Sequence, residues 1–83
     1  MTAQPLVVRS LAALWHPCTQ MQRHLDPDPE RRVPLLPVVR AEGPWLFDPD
    51  GRRYFDAFSS WWTTLFGHRH PHIVAAIQEQ LEL

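Results

Sequence analysis

Residues 37–56 read PVVRAEGPWLFDPDGRRYFD, and this stretch decides the fold of the chain. It alternates short runs of β-branched and aromatic residues with clusters of Gly, Pro and Asp, a pattern typical of strands joined by tight turns. The pattern predicts a small antiparallel meander, with strands at residues 38–42, 45–47 and 53–56.

Two turns separate the predicted strands. Gly43-Pro44 forms the first turn, and the run from Asp48 to Gly51 forms the second. In the second turn Pro49 presets φ at the second position, and Gly51 accepts a positive φ. The connections are therefore short enough to keep consecutive strands adjacent.

The region before the meander predicts one short helix and a loop. Ser10 is a suitable N-cap for a helix whose apolar face combines Leu11, Leu14 and Trp15, because these residues are spaced i, i+3, i+4. The stretch from residue 21 to residue 37 is polar and rich in proline, so we expect an extended surface loop there.

The region after the meander predicts an irregular connection followed by a second helix. Residues 57–70 show no clear period, and at most one helical turn is expected among them. Pro71 suits the first turn of a helix, and the spacing of Ile73, Ile77 and Leu81 predicts an apolar stripe used for core packing. We therefore assign the chain to the α/β class.

Composition limits the possible functions. The chain has 83 residues, one cysteine, eight arginines and no lysine, and its net charge is −1. This charge gives no electrostatic case for nucleic acid or an anionic membrane as a partner. A single thiol excludes an intrachain disulfide and favours a reducing, cytoplasmic setting. No apolar run approaches the length of a membrane span, and the first residues do not resemble a signal peptide.

Two groups of motifs resemble a known family. Residues 15–21, WHPCTQM, resemble the Trp-His-Pro-Tyr-Thr-Gln-Met signature of adenosylmethionine-8-amino-7-oxononanoate aminotransferases. The Gly-His-x-His-Pro element at 67–71 resembles class III aminotransferases more widely, whereas the Ser-Ser-Trp-Trp element at 59–62 is more specific to the biotin-pathway enzymes. Further matching residues are Ala41-Glu42-Gly43, Asp50-Gly51-Arg52-Arg53 and Asp56.

The resemblance implies a fold and an activity. It places residues 1–83 in the N-terminal part of the small domain of a fold-type I aminotransferase, as an incomplete segment without the large domain that binds pyridoxal phosphate. Such enzymes are homodimers, and they transfer an amino group from S-adenosylmethionine to 8-amino-7-oxononanoate in biotin biosynthesis. Because the cofactor is bound through a lysine, the segment alone is expected to be inactive, with neither catalytic nor cofactor-binding residues.

The resemblance also implies a set of substrate-binding residues. Trp61 matches the tryptophan that contributes to the substrate pocket, and its apolar face suits a long aliphatic keto acid. Trp62 and Ser60 are the neighbouring candidates. Cys18 occupies the position of a pocket tyrosine, and it lacks both the ring and a comparable hydrogen-bond donor. Other uses of these residues are core or dimer packing for the tryptophans and a small buried thiol for Cys18.

Other side chains carry weaker predictions. The histidines at 68, 70 and 72 have poor spacing for a metal site, so no metal is expected, and Gly67 and His68 are expected to serve backbone geometry and local hydrogen bonding. The acidic residues at 26, 28 and 30 are expected on the solvated surface. Two further functions stay open: another class III aminotransferase, or a non-catalytic remnant or binding module.

Overall fold

The structure, a computed structural model, describes residues 2–83 in two compact units. The first unit ends at Pro37, and the second spans Val38–Leu83. Two helices, α1 (Ala3–Ala13) and α2 (Met21–His24), belong to the first unit. The second unit contains a three-stranded sheet followed by α3 (Ser59–Trp62) and α4 (Pro71–Leu81), so it carries the meander that the sequence predicts.

Helix α1 spans Ala3–Ala13, which is earlier than predicted. Pro5 does not prevent the helix from starting at Ala3, because the first N–H groups of a helix have no intrahelical partner. The prediction that Ser10 caps the helix is wrong: Ser10 lies inside α1, and its hydroxyl lies 3.0 Å from His16 Nε2. Leu14 closes the helix by donating to the Ser10 carbonyl at 2.9 Å.

The predicted loop at residues 21–37 contains one short helix, α2, at Met21–His24. The rest is irregular, and the acidic residues organise its turns. Asp26 Oδ1 accepts the Asp28 amide at 2.9 Å, and Asp28 Oδ1 accepts the Glu30 amide at 3.0 Å. Each carboxylate thus satisfies an amide two residues ahead, as is common for Asp in turns.

The sheet consists of β1 at Arg40–Glu42, β2 at Trp45–Phe47 and β3 at Arg53–Phe55, in the order β1-β2-β3. Both pairs are antiparallel. The strands are therefore the predicted ones, although β1 begins two residues later and β3 ends one residue earlier. Beyond the third strand, the Asp56 amide continues the register by donating to the Pro44 carbonyl at 2.7 Å, and Pro44 has no N–H to return a bond.

The β2–β3 turn is organised by Asp48, which is only 5% exposed. Its carboxylate accepts the amides of Asp50 and Arg52, each at 2.9 Å, and the Tyr54 hydroxyl at 3.0 Å. Burial by itself would raise the pKa of Asp48, but these hydrogen bonds outweigh it and the pKa is lowered. Gly51 has φ +84°, which is the positive φ that the sequence predicts for this turn.

Helix α3 is a single turn at Ser59–Trp62, and helix α4 spans Pro71–Leu81 with Pro71 in its first turn. Ile73, Ile77 and Leu81 are exposed by 42%, 56% and 79%. The prediction that this stripe forms core packing is wrong for the segment described. Among residues 2–83 no helix is both long enough and apolar enough to span a bilayer.

Two glycines bring the Gly67-His68 element against the sheet. Gly43 and His68 exchange two backbone hydrogen bonds, at 2.9 and 2.8 Å. A Cβ at Gly67 would lie 3.1 Å from Gly43 Cα, and Gly67 has φ +81°. The close approach of the two backbones therefore requires glycine at position 67.

We expect Gly67→Ala to destabilise an enzyme that carries this segment by about 2–5 kcal/mol, since strain at positive φ and overpacking add. Gly43→Ala is the matched control, because Gly43 also has positive φ but no atom within 4 Å of a Cβ there. It should cost only about 1–2 kcal/mol. Urea unfolding measures both, and equal losses would contradict the close-approach argument.

The apolar side chains of the segment are largely exposed. No hydrophobic residue among positions 2–83 is buried, and the two buried residues there, His24 and Asp48, are polar. Trp15, Leu65 and Phe66 are exposed by 87%, 86% and 66%. Because burial of apolar surface is the main driving force for folding, the segment has little to stabilise it by itself.

We therefore expect the isolated 83-residue chain to lack a cooperative unfolding transition. Thermal circular dichroism should give a shallow, nearly linear change, and amide NMR signals should be poorly dispersed. A sharp transition in a monomer with dispersed signals would contradict this expectation.

Candidate substrate-binding site

The predicted Ser-Ser-Trp-Trp element forms α3, and its backbone is left-handed. Ser59, Ser60, Trp61 and Trp62 have φ values of 49°, 45°, 65° and 62°. Each non-glycine residue in this conformation costs about 1–2 kcal/mol. Four such residues in succession persist only where surrounding contacts hold them in place. Backbone strain of this kind is concentrated at functional sites.

Backbone hydrogen bonds close the left-handed turn. The Trp62 amide donates to the Phe58 carbonyl at 3.1 Å, and the Thr63 amide donates to the Ser59 carbonyl at 2.9 Å. The Thr63 hydroxyl donates to the Ser60 carbonyl at 2.9 Å. The serines and threonine of this stretch therefore serve the turn itself.

The left-handed turn leaves both indoles open. Trp61 is 57% exposed and Trp62 is 77% exposed. The Phe58 ring lies beside both, with centroids 6.4 Å from Trp61 and 5.6 Å from Trp62. The three rings thus form an exposed aromatic cluster, which offers a broad apolar surface.

A carboxylate beneath this turn receives three hydrogen bonds. Asp56 Oδ1 accepts the Ser60 amide at 2.9 Å. Asp56 Oδ2 accepts the Ser60 hydroxyl at 2.8 Å and the His68 imidazole Nε2 at 2.7 Å. The Asp56 and His68 side chains are 7% and 15% exposed. We call these three residues the Asp56 cluster.

The hydrogen bonds favour the ionised form of Asp56. The Ser60 amide, the His68 imidazole and the Ser60 hydroxyl together outweigh partial burial and lower the pKa of Asp56 to about 2. The carboxylate is therefore charged at neutral pH.

The Asp56 cluster is not a nucleophilic triad. In such a triad the imidazole uses one nitrogen for the serine and the other for the carboxylate. Here His68 Nε2 donates to Asp56 and also lies 3.3 Å from Ser60 Oγ, while the Ser60 hydroxyl donates to the same carboxylate oxygen. The arrangement positions the backbone and does not activate the hydroxyl. It also confirms the predicted role of His68 in local hydrogen bonding.

In the first unit, the Trp-His-Pro-Cys-Thr-Gln motif forms a tight turn. The Thr19 hydroxyl donates to the His16 carbonyl at 3.1 Å, and the His16 amide contacts Met21 Sδ at 3.4 Å. Cys18 is exposed and has φ 55°. Its thiol is therefore not the small buried group considered as an alternative.

Cys18 lines two clefts in the first unit. One has a volume of about 510 Å³ and lies along residues 15–20. The other has a volume of about 340 Å³ and includes Arg23, His24 and Val33. Cys18 thus borders open space that a small molecule can enter.

The structure identifies a residue that the sequence did not single out. His24 is 5% exposed, and its Nδ1 donates to the Val33 carbonyl at 2.8 Å. Its Nε2 is buried without a hydrogen-bond partner. No local pattern marks this histidine, because its burial depends on Val33, nine residues further along the chain.

The predicted site residues divide between the two units. Ser60, Trp61 and Trp62 are brought together in the second unit by the α3 turn. Cys18 belongs to the first unit. The Ser60 hydroxyl is engaged by Asp56, so this serine holds the turn in the conformation described.

The segment does not fit the attachment site of pyridoxal phosphate. Attachment requires a lysine amine, and the 83 residues contain none. Within residues 2–83, no three His, Cys, Asp or Glu side chains lie close enough to share a metal ion. The segment therefore offers apolar side-chain surfaces and hydrogen bonds that hold the backbone in place.

Comparison with known proteins identifies the family. The family model for class-III aminotransferases matches residues 27–83. This chain belongs to the class-III aminotransferases. The match includes the sheet, the Asp56 cluster and the left-handed turn, so these features lie in the shared part of the family.

Individual relatives agree with this assignment. The chain is 38% identical to the adenosylmethionine-8-amino-7-oxononanoate aminotransferase of Helicobacter pylori, across 93% of the chain and 16% of that protein. It superposes on the crystal structure of the enzyme with that name from Methanocaldococcus jannaschii with a TM-score of 0.79 and 38% identity, across 95% of the chain and 17% of that structure.

A second solved structure has a different name. An (S)-enantioselective omega-transaminase from Thermomicrobium roseum gives a TM-score of 0.81 at 33% identity, across 99% of the chain and 17% of that structure. The chain therefore spans about one sixth of the length of the proteins it matches. The predicted fold class is confirmed: helices and a small antiparallel sheet form part of a transaminase fold.

The lowered pKa of Asp56 predicts a contribution to acid sensitivity. The folded pKa of about 2 lies below the ordinary 3.8, so the stabilisation is fully present above pH 3.8 and is lost as the pH falls through 2. In an enzyme that carries this segment, urea midpoints should fall as the pH is lowered from 4 to 2. Asp56→Asn should reduce that fall, because an amide does not titrate. Identical pH slopes for the two proteins would contradict this origin.

Proposed function

We propose that the segment belongs to an enzyme that transfers an amino group from S-adenosylmethionine to 8-amino-7-oxononanoate, giving 7,8-diaminononanoate in biotin biosynthesis. Membership of the class-III family supports the reaction type. The names of the Helicobacter and Methanocaldococcus relatives support the substrates. The segment contributes the substrate side of the site.

One observation carries this proposal: the strained α3 turn places two neighbouring indoles beside Phe58 as one apolar surface. An apolar wall of this kind suits a flexible nine-carbon keto acid, whose binding depends on burial of its methylene groups at about 25 cal/mol per Å². A rigid indole provides that burial with little loss of side-chain entropy. The strained backbone is explained by the need to present the rings in this way.

The four candidate residues have different roles in this proposal. Trp61 forms the wall for the acceptor chain, and Trp62 extends the apolar surface beside Phe58. Ser60 binds Asp56 and fixes the turn. Cys18 lines two clefts of the first unit and has no ring, so the adenine of the donor does not stack on this residue.

The remaining assignments of the proposal concern the whole enzyme. Pyridoxal phosphate, when bound, supplies the electron sink for amino transfer. Its lysine comes from outside the 83 residues. We propose a homodimer located in the cytoplasm. The exposed single thiol of Cys18 is compatible with a reducing compartment.

A second candidate is a class-III aminotransferase with another amino donor. Cys18 favours it, because the thiol replaces a ring at the donor side, and so does the similarity to the omega-transaminase. A panel of amino donors distinguishes the two candidates. Turnover with S-adenosylmethionine supports the first, and turnover only with simple amines or amino acids supports the second.

We expect Trp61→Ala to lower kcat/KM for 8-amino-7-oxononanoate by roughly 30- to 1,000-fold, which corresponds to about 2–4 kcal/mol. The reason is the loss of the indole wall against the acceptor chain. Steady-state kinetics of an enzyme that carries this segment measure the change, and thermal unfolding checks that the variant is folded.

Trp62→Ala is the matched control, because its ring packs against the same Phe58. It should change kcat/KM much less than Trp61→Ala does. The reverse order would mean that Trp62 is the wall. Near-normal kinetics for both variants would show that neither indole contributes to the substrate-binding site.

A further inference from the structure

The α3 turn does not follow from its own side chains. Its serines and tryptophans have no special preference for four consecutive positive φ values. Asp and Asn are the non-glycine residues that adopt this conformation most readily, and α3 contains neither. Something outside the turn must therefore select the left-handed form.

The side chain of Asp56 lies where it can select the left-handed form of the turn. It follows β3 directly, and its Oδ1 accepts the Ser60 amide at 2.9 Å while its Oδ2 accepts the Ser60 hydroxyl at 2.8 Å. Both bonds end on the residue at the centre of the strained turn, next to Trp61. A right-handed turn at this point would direct the Ser60 amide differently and would break the first bond.

His68 fixes the carboxylate in turn. Its Nε2 donates to Asp56 Oδ2 at 2.7 Å, and its backbone exchanges two hydrogen bonds with Gly43. The imidazole is therefore attached to the sheet, and it bonds the same carboxylate oxygen that accepts the Ser60 hydroxyl. A continuous chain of contacts connects the sheet, His68, Asp56 and the indole-bearing turn.

We propose that Asp56 and His68 are positioning residues, which set the orientation of Trp61 by holding the left-handed turn and thereby control binding of the keto-acid substrate. The inference rests on the proposed function for the identity of that substrate. Neither residue is assigned contact with substrate or cofactor.

The decisive experiment compares Asp56→Ala with Asp48→Ala in an enzyme that carries this segment. Asp48 is the matched control, because its carboxylate also accepts three hydrogen bonds and organises a turn of the same sheet. Both substitutions should lower the melting temperature. Only Asp56→Ala should raise KM for 8-amino-7-oxononanoate, by about 10-fold or more, with kcat changed by less than about 3-fold.

A spectroscopic measurement tests the orientation without any substrate. With fluorotryptophan incorporated, the ¹⁹F signals of Trp61 and Trp62, assigned by Trp→Phe replacement, should shift in Asp56→Ala and stay in place in Asp48→Ala. If the enzyme does not accept 8-amino-7-oxononanoate, the proposed function fails, and the ¹⁹F signals still decide the positioning role.

Milder variants cover the case in which Asp56→Ala does not fold. Asp56→Asn keeps one acceptor oxygen, and His68→Gln keeps a donor for Asp56, so each should fold and should raise KM for 8-amino-7-oxononanoate above the wild-type value, with kcat little changed. Folded Asp56→Asn with wild-type KM and unshifted ¹⁹F signals would overturn the proposal. So would equal KM values for Asp56→Ala and Asp48→Ala.

Discussion

The carboxylate of Asp56 is the interaction on which the candidate site depends. It joins the end of β3 to the Ser60 amide, the Ser60 hydroxyl and the His68 imidazole, all within 2.9 Å. A charged acceptor makes stronger hydrogen bonds than a neutral one, and partial burial protects them from water. Strong hydrogen bonds of this kind are needed to hold a turn in which four consecutive residues are left-handed.

Two glycines make that interaction possible. His68 reaches Asp56 because its backbone pairs with Gly43, and a Cβ at Gly67 would lie only 3.1 Å from Gly43 Cα. The Gly-His element and the Ser-Ser-Trp-Trp element are thus parts of one structural unit, although eight residues separate Ser60 from His68. Ser60 of one element and His68 of the other both bond to the Asp56 carboxylate, and this shared contact explains why the two elements occur together in the sequence.

The apolar side chains of residues 2–83 are largely exposed, while two polar ones are buried. No hydrophobic side chain among residues 2–83 is buried, whereas polar Asp48 and His24 are. Local hydrogen bonds define the turns of the segment, but they contribute little net stability because water offers the same bonds to the unfolded chain. The relatives, of which the chain spans about one sixth, have many more residues with which to bury such surface.

The sequence by itself determined the elements whose causes are local. Turn residues and short apolar runs located the three strands, Gly51 provided the positive φ, and Pro71 marked the start of α4, because each of these depends on neighbouring residues only. The motifs also pointed to the right family. Only the tertiary structure decided the rest. The Ser10 hydroxyl pairs with His16, and the stripe on α4 remains exposed. The left-handed turn at 59–62 is held by Asp56 and by His68, which lies twelve positions after Asp56, and no preference of the turn residues themselves encodes that contact.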